Sequence, residues 1–323
     1  MNKKRSIGIF ATLGPSSLNK KFLKFANNKV DLVRINMSHV SLKQLERYII
    51  LIKNHCKVPI CLDTEGAQIR TKIKGKSKLF RKGKKLKFIF KKGNFQLYPY
   101  YIFNKLKKGD ILDIGFEGLK LKIVKKMSSS AIFDCLTTGK LENNKGVHLI
   151  NRKIKLNYIT EKDKKAIVIA KKNGIKNFAL SFTNDARDIE KFNDILPKTN
   201  KIFKIETKKA LKNFNSLIKK GKNFLIDRGD LSKDIGINYI PLAQRKILKK
   251  TSKNKSIKIS IATNFLESMI VKPFPTRAEV NDIYNALELG VDNLVLAAET
   301  AVGHYPEKCV NLLREIIKVY KKN

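Results

Sequence analysis

Apolar segments of strand length alternate with segments of helical spacing eight times along this chain, which restricts it to folds built on a parallel sheet with crossover helices. Strands are expected at 7–13, 30–35 and 58–62, with helices at 18–27 and 42–55. The rhythm stops near Thr71. It resumes at Thr160-Glu161-Lys162-Asp163, a helix-start sequence, and continues with strands at 177–182, 201–206, 223–227, 256–263 and 293–299. Helical segments at 161–173, 184–194, 207–219, 240–250, 277–289 and 306–321 lie around them. Eight units in about 235 residues is the arithmetic of a (β/α)8 barrel. Between them, 71–158 holds short alternating runs such as 86–90 and 111–123 and no convincing amphipathic helix. Roughly ninety residues are too many for a loop. They predict a mostly β insertion after the third strand, giving a barrel domain of 1–70 and 159–323 and an inserted domain of 71–158.

Chemistry in such barrels gathers at the carboxyl ends of the strands. The polar residues expected there are Arg34, Asn36, Ser38, Asp63, Thr64, Lys204, Glu206, Asp230, Thr263 and Glu299. The stretch 201–230 is the most telling. Two apolar runs end in charge, the first at Lys204 and Glu206, the second at Asp227, Arg228 and Asp230. Two carboxylates from adjacent strand ends suit a hard divalent cation such as Mg²⁺, and a lysine beside them neutralises charge on a transferring group. Taken singly, each residue also has a plainer reading. Asn36 and Ser38 suit a helix cap, Thr263 a local strand-end hydrogen bond, Lys145 a solvated surface, Glu299 a structural brace.

The net charge of +42 bears on partners. Of 69 basic residues 58 are lysine and 11 arginine, spread over almost every segment. Nucleic-acid readers favour arginine for bidentate and stacking contacts, so a solvated lysine coat with weak polyanion affinity is expected rather than specific nucleic-acid binding. Such a field also draws small phosphorylated substrates toward a cleft. No apolar run approaches the ~20 residues of a membrane span. Met1–Arg5 is basic, but 7–13 is short and broken by Gly8 and Thr12, which predicts no secretory signal and a cytoplasmic protein. Cys56, Cys61, Cys135 and Cys309 lack metal-site spacing and read as reduced thiols, and four histidines argue against a histidine-based metal cluster.

Nine motifs then bear on function: ATLGPSS at 11–17, VRINMSH at 33–39, LDTEGAQIRT at 62–71, NKGV at 144–147, FKIE at 203–206, RGDL at 228–231, ATNFLESM at 262–269, PTRAE at 275–279 and AETA at 298–301. In order and spacing they resemble the pyruvate kinase family from end to end of the chain. The resemblance implies a barrel carrying a lid domain, and phosphoryl transfer from phosphoenolpyruvate to ADP with Mg²⁺ or Mn²⁺ and usually K⁺. Position by position it implies Glu206 and Asp230 as divalent-metal ligands, Lys204 beside the phosphoryl group in flight, and Asn36, Ser38, Asp63 and Thr64 as the potassium site. It further implies Arg34 on substrate phosphate, the amides of Gly229 and Asp230 on the substrate carboxylate, and Thr263 near the enolate carbon. Arg70 and Lys145, with Asn36, match nucleotide contacts.

This chain also departs from the family. Glu65-Gly66-Ala67-Gln68 stands for Lys-Gly-Pro-Glu, Asp227 for alanine, Ser232 for glycine, Asp113-Ile114 for paired aspartates and Ala297-Ala298-Glu299 for Ser-Gly-Glu. Asp227 is expected to add charge beside the metal, and Ser232 to strain a tight turn. The family's C-terminal regulatory domain is expected to be missing, leaving homo-oligomers to form through barrel faces. Two other readings stand beside the leading one: a non-catalytic remnant that binds polyanions, and a Mg²⁺-dependent barrel lyase or aldolase that shares the Glu206 and Asp230 pair.

Overall fold

The computed structural model describes residues 6–90, 93, 95–115 and 118–322; the basic run Met1–Arg5 lies outside them. The first of two compact units comprises Met1–Gly66 and Glu161–Asn323. Its eight strands are β1 (Gly8–Leu13), β2 (Leu32–Asn36), β3 (Ile60–Asp63), β4 (Asn177–Leu180), β5 (Asn200–Ile205), β6 (Asn223–Asp227), β7 (Lys258–Ala262) and β8 (Asn293–Leu296). They close into a parallel barrel in which each strand pairs with its neighbour in sequence and β8 returns to β1. The expected (β/α)8 architecture is therefore present. The seam between first and last strands is tied further by Thr12 Oγ1 donating to Leu296 O at 2.8 Å and Thr300 Oγ1 donating to Thr12 O at 2.8 Å.

Inside the barrel, period-two alternation stacks the side chains in layers. Phe10, Leu32, Cys61, Ala179, Ile202, Leu225, Ala262 and Val295 make the apolar packing of the middle. Two residues further along the first six strands stand Thr12, Arg34, Asp63, Ser181, Lys204 and Asp227. These polar groups bond to one another at the carboxyl ends.

Several element boundaries differ from the sequence expectation. β8 stops at Leu296, because Ala298–Ala301 turns helical and Glu299 accepts hydrogen bonds from the amides of Ala297 at 2.7 Å and Leu266 at 3.3 Å. The helix expected at 207–219 breaks at Asn213 into Lys208–Lys212 and Phe214–Lys220, where the Asn213 side-chain amide donates to Asn184 O at 2.9 Å. A helix missed in the sequence, Arg228–Ile235, follows β6 directly. Ser232 lies within it and donates its hydroxyl to Gly229 O at 2.8 Å, so the strained turn expected at Ser232 is absent. The helix Leu42–His55 is capped by Ser41 with Gln44, which leaves Asn36 and Ser38 out of that role.

The second unit, Ala67–Thr160, begins four residues earlier and ends two later than expected. The cause is Ile69–Ile73, which is hydrogen-bonded between Gly146–Leu149 and Phe95–Tyr98 in a seven-stranded antiparallel sheet. The run expected at 111–123 divides into Ile111–Ile114 and Leu119–Lys126, turning at Gly115 with φ +70°. Ile102–Lys105 adds one helical turn. Phe90, Phe95, Phe133, Leu121 and Ile123 fill its separate core. Among the described residues no helix is long and apolar enough to cross a membrane, and all four cysteines are buried and unbridged.

Gly66, just beyond β3, has φ +69°, and a Cβ there would lie 2.6 Å from Ser181 Cβ. Backbone strain and overlap act together, so Gly66→Ala should lower stability by about 1–3 kcal/mol. A denaturant titration of the full chain against wild type measures it.

Candidate active site

Lys204 is held at the carboxyl end of β5 because residues on either side of it face outward. Phe203 packs its ring near Phe192 and Phe224, while Lys204 turns into the barrel. It is 4% exposed. Its ammonium lies 2.9 Å from Glu206 Oε1, 3.3 Å from Asp227 Oδ2 and 3.4 Å from Asp63 Oδ2. Ser181 Oγ accepts from it at 3.2 Å. Arg34, also buried, places Nη1 3.1 Å from Asp63 Oδ2 and donates Nε to Thr12 Oγ1 at 3.0 Å. Burial alone would lower the lysine pKa, but the charges of Asp63, Glu206 and Asp227 outweigh it and raise it well above the ordinary value.

The carboxylates divide the field unequally. Burial pushes Glu206 up to about 8, with Asp227 and Asp230 adding to the rise and Lys204 opposing it. Asp227 is buried too, yet Lys204 and Arg34 outweigh that burial and hold it below the ordinary range. Glu206 also accepts from the Phe182 amide through Oε2. Its Oε1 is buried and meets no donor in hydrogen-bonding geometry, although Lys204 Nζ is 2.9 Å away.

Asp230 sits in the first turn of helix Arg228–Ile235, three residues beyond the end of β6. Carboxylate oxygens of Glu206, Asp227 and Asp230 all lie within 4.8 Å of one another. Among the described residues this is the one three-membered group of metal-binding side chains. An all-oxygen set carrying more anions than nearby cations fits a hard divalent ion.

Thr263 follows β7 with φ +75°, a strained conformation for a β-branched residue. Two groups hold it there. Its Oγ1 accepts from the Gly229 amide at 2.8 Å. Its carbonyl accepts from Arg228 Nε at 3.0 Å and Nη2 at 2.7 Å. Arg228 is fixed in turn by Asp282 at 2.7 Å and by the Phe265 ring, 4.3 Å from the guanidinium carbon.

On the next strands, Asn36 lies beside Asp63 in register and accepts from the Ser38 amide at 3.0 Å. Thr64 Oγ1 accepts from the Ser181 amide at 3.0 Å. The structure thus gathers Arg34, Asp63, Lys204, Glu206 and Asp230 around one centre, with Thr263 and Gly229 bonded at its side. Arg70 and Lys145 belong to the second unit. There Gly146 pairs with Arg70 across the sheet, Arg70 Nη1 donates to Asn144 O at 3.4 Å, and Lys145 is 2.8 Å from Glu142.

Sequence reading missed Ser181, whose hydroxyl joins Asp63, Thr64 O and Lys204, and gave Arg228 no role. It also missed Lys162, which reaches Glu65 at 3.1 Å and the Met37 carbonyl. Ser181 carried a usable signal: it stands two residues past an inward-facing apolar residue, as Lys204 and Asp63 do. Arg228→Lys should cost about 1–3 kcal/mol, because a lysine cannot hold Thr263 O and Asp282 together. Chemical denaturation of the purified variant checks this.

Residues 4–310 match the family model "Pyruvate kinase, barrel domain". The chain is 35% identical to pyruvate kinase of Methanocaldococcus jannaschii, over 98% of this chain and 69% of the relative. To pyruvate kinase of Thermotoga maritima it is 32% identical, over 98% of this chain and 72% of the relative. To the chloroplastic pyruvate kinase isozyme G of Nicotiana tabacum it is 31% identical, over 97% of this chain and 58% of the relative.

Proposed function

This chain belongs to the pyruvate kinase family and is an enzyme of the phosphotransferase class; on that premise we propose that it transfers the phosphoryl group of phosphoenolpyruvate to ADP. The bond between phosphorus and the enol oxygen breaks, a bond to the terminal phosphate oxygen of ADP forms, and the enolate takes a proton at carbon to become pyruvate. The observation that carries this reading is the buried Lys204 ammonium set among the metal-type carboxylates at the strand ends.

Such a transfer needs positioning and charge compensation more than covalent chemistry. Glu206 and Asp230 would hold Mg²⁺ or Mn²⁺, which when bound compensates charge on the phosphoryl and enolate oxygens. Lys204 faces the phosphoryl group and Arg34 the substrate phosphate, both fixed by Asp63. Their burial strengthens each charge, since little water is present to screen it. Thr263 and the amides of Gly229 and Asp230 take the substrate carboxylate, with Thr263 near the carbon that is protonated. Asn36, Ser38, Asp63 and Thr64 offer oxygen donors for K⁺. Arg70 and Lys145, with Asn36, are assigned to the nucleotide, Lys145 exchanging Glu142 for phosphate. A cytoplasmic setting agrees with four buried, unbridged thiols.

The test is a coupled pyruvate assay with phosphoenolpyruvate, ADP, Mg²⁺ and K⁺, run on wild type, Lys204→Ala and Glu206→Gln. Wild type should turn over, and both variants should lose at least about a hundredfold in kcat with their circular dichroism retained. A folded wild-type protein that forms no pyruvate sinks the reading.

A further inference from the structure

We propose that Asp227 is a third carboxylate of the divalent-cation site, so that this enzyme takes up its metal ion before any substrate arrives. The inference deepens the reading above and rests on it for the identity of the site. Asp227 ends β6 in the same inward layer as Lys204 and Asp63, and it is 6% exposed. Its carboxylate is within 4.8 Å of those of Glu206 and Asp230. The Thr263 hydroxyl approaches Oδ1 at 3.5 Å and Lys204 approaches Oδ2 at 3.3 Å, which leaves Asp227 anchored without being fully neutralised.

A second observation points the same way. Glu206 Oε1 is buried in this cluster outside ideal hydrogen-bonding geometry, and the one ammonium near it, Lys204 at 2.9 Å, is shared with Asp63 and Asp227, so the oxygen keeps lone-pair capacity for a metal ion. The charge balance agrees. Three cations, Arg34, Lys204 and Lys233, face four acidic groups, Asp63, Glu206, Asp227 and Asp230, which leaves an acidic excess that a bound cation offsets. Without Asp227 the opposite charges of the cluster would balance. Asp227 therefore supplies the excess negative charge that makes a cation, rather than a substrate oxygen, the natural first occupant. Anionic substrate would then meet a mouth that is no longer negative, consistent with metal and substrate entering in that order.

Mn²⁺ titrated into the full chain without substrate, with free Mn²⁺ read by electron paramagnetic resonance, tests this. Asp227→Ala and Asp227→Asn should each raise the Mn²⁺ Kd at least about tenfold. Asp234→Asn removes an equal charge from the far end of the same helix, outside the cluster, and should change Kd less than about twofold. The proposal is overturned if both Asp227 variants bind Mn²⁺ as wild type does, or if Asp234→Asn weakens binding equally. Asp227→Asn keeps the side-chain volume, and circular dichroism qualifies each variant before titration. Pyruvate formation with an unchanged Mn²⁺ Kd in the variants would sink this proposal alone. Loss of Mn²⁺ affinity in a protein that never forms pyruvate would sink the catalytic reading alone.

Discussion

The ammonium of Lys204, packed among Asp63, Glu206 and Asp227, is the contact on which the barrel mouth depends. Taking these groups out of water costs several kcal/mol per ion, and removing one partner from such a set is typically worth about 3–5 kcal/mol because it strands the others. The arrangement is therefore held for what it positions more than for stability. Ser181 and Arg34 complete it, each touching Asp63, so that β2, β3, β4, β5 and β6 share one polar layer. A displacement of any of these strands is felt at the lysine. Rigidity at the site follows from the barrel closure beneath it, where apolar residues from all eight strands interlock.

Around that layer the backbone carries conformational strain just past strand ends. Phe182, Thr263 and Asn264 all have positive φ, and all lie just past strand ends. Strain of this kind persists only where surroundings over-determine the backbone. For Thr263 the surroundings are Arg228 and the Gly229 amide, both supplied by the first turn of the helix that follows β6. The same short turn thus supplies Asp230 to the carboxylate group and fixes a hydroxyl beside it. Against this local precision, the lysine excess is diffuse. Its ion pairs, such as Lys220 with Glu190, are mostly on the surface and contribute little each.

Much of this was legible in the sequence. The alternation of strand and helix gave eight barrel units, and a break in rhythm marked the insertion, because both depend on local periodicity. Charges at the ends of 201–206 and 223–230 pointed to the centre for the same reason: a buried parallel strand tolerates charge only where it leaves the core. What was not legible depended on three dimensions. Asp227 stood out as an added charge, but its place in the carboxylate group follows from the register of β6 against β5. The helix at Arg228–Ile235 begins without a turn after β6, so no loop residues announced it. Ser181 drew no reading, because its place between Asp63 and Thr64 follows from the position of β4.

The pairing of β1 with β8 has a consequence for biogenesis. Gly8–Ala11 find their ladder partners at Asn293–Leu296, nearly the whole barrel later in the chain. During translation the first strand emerges from the ribosome long before its neighbour exists, and one open edge must wait while the intervening staves are made. The nascent polypeptide is thus exposed to misassociation until the eighth strand clears the exit tunnel. A lysine-rich exterior, whose like charges repel other copies, would help keep such half-built barrels apart.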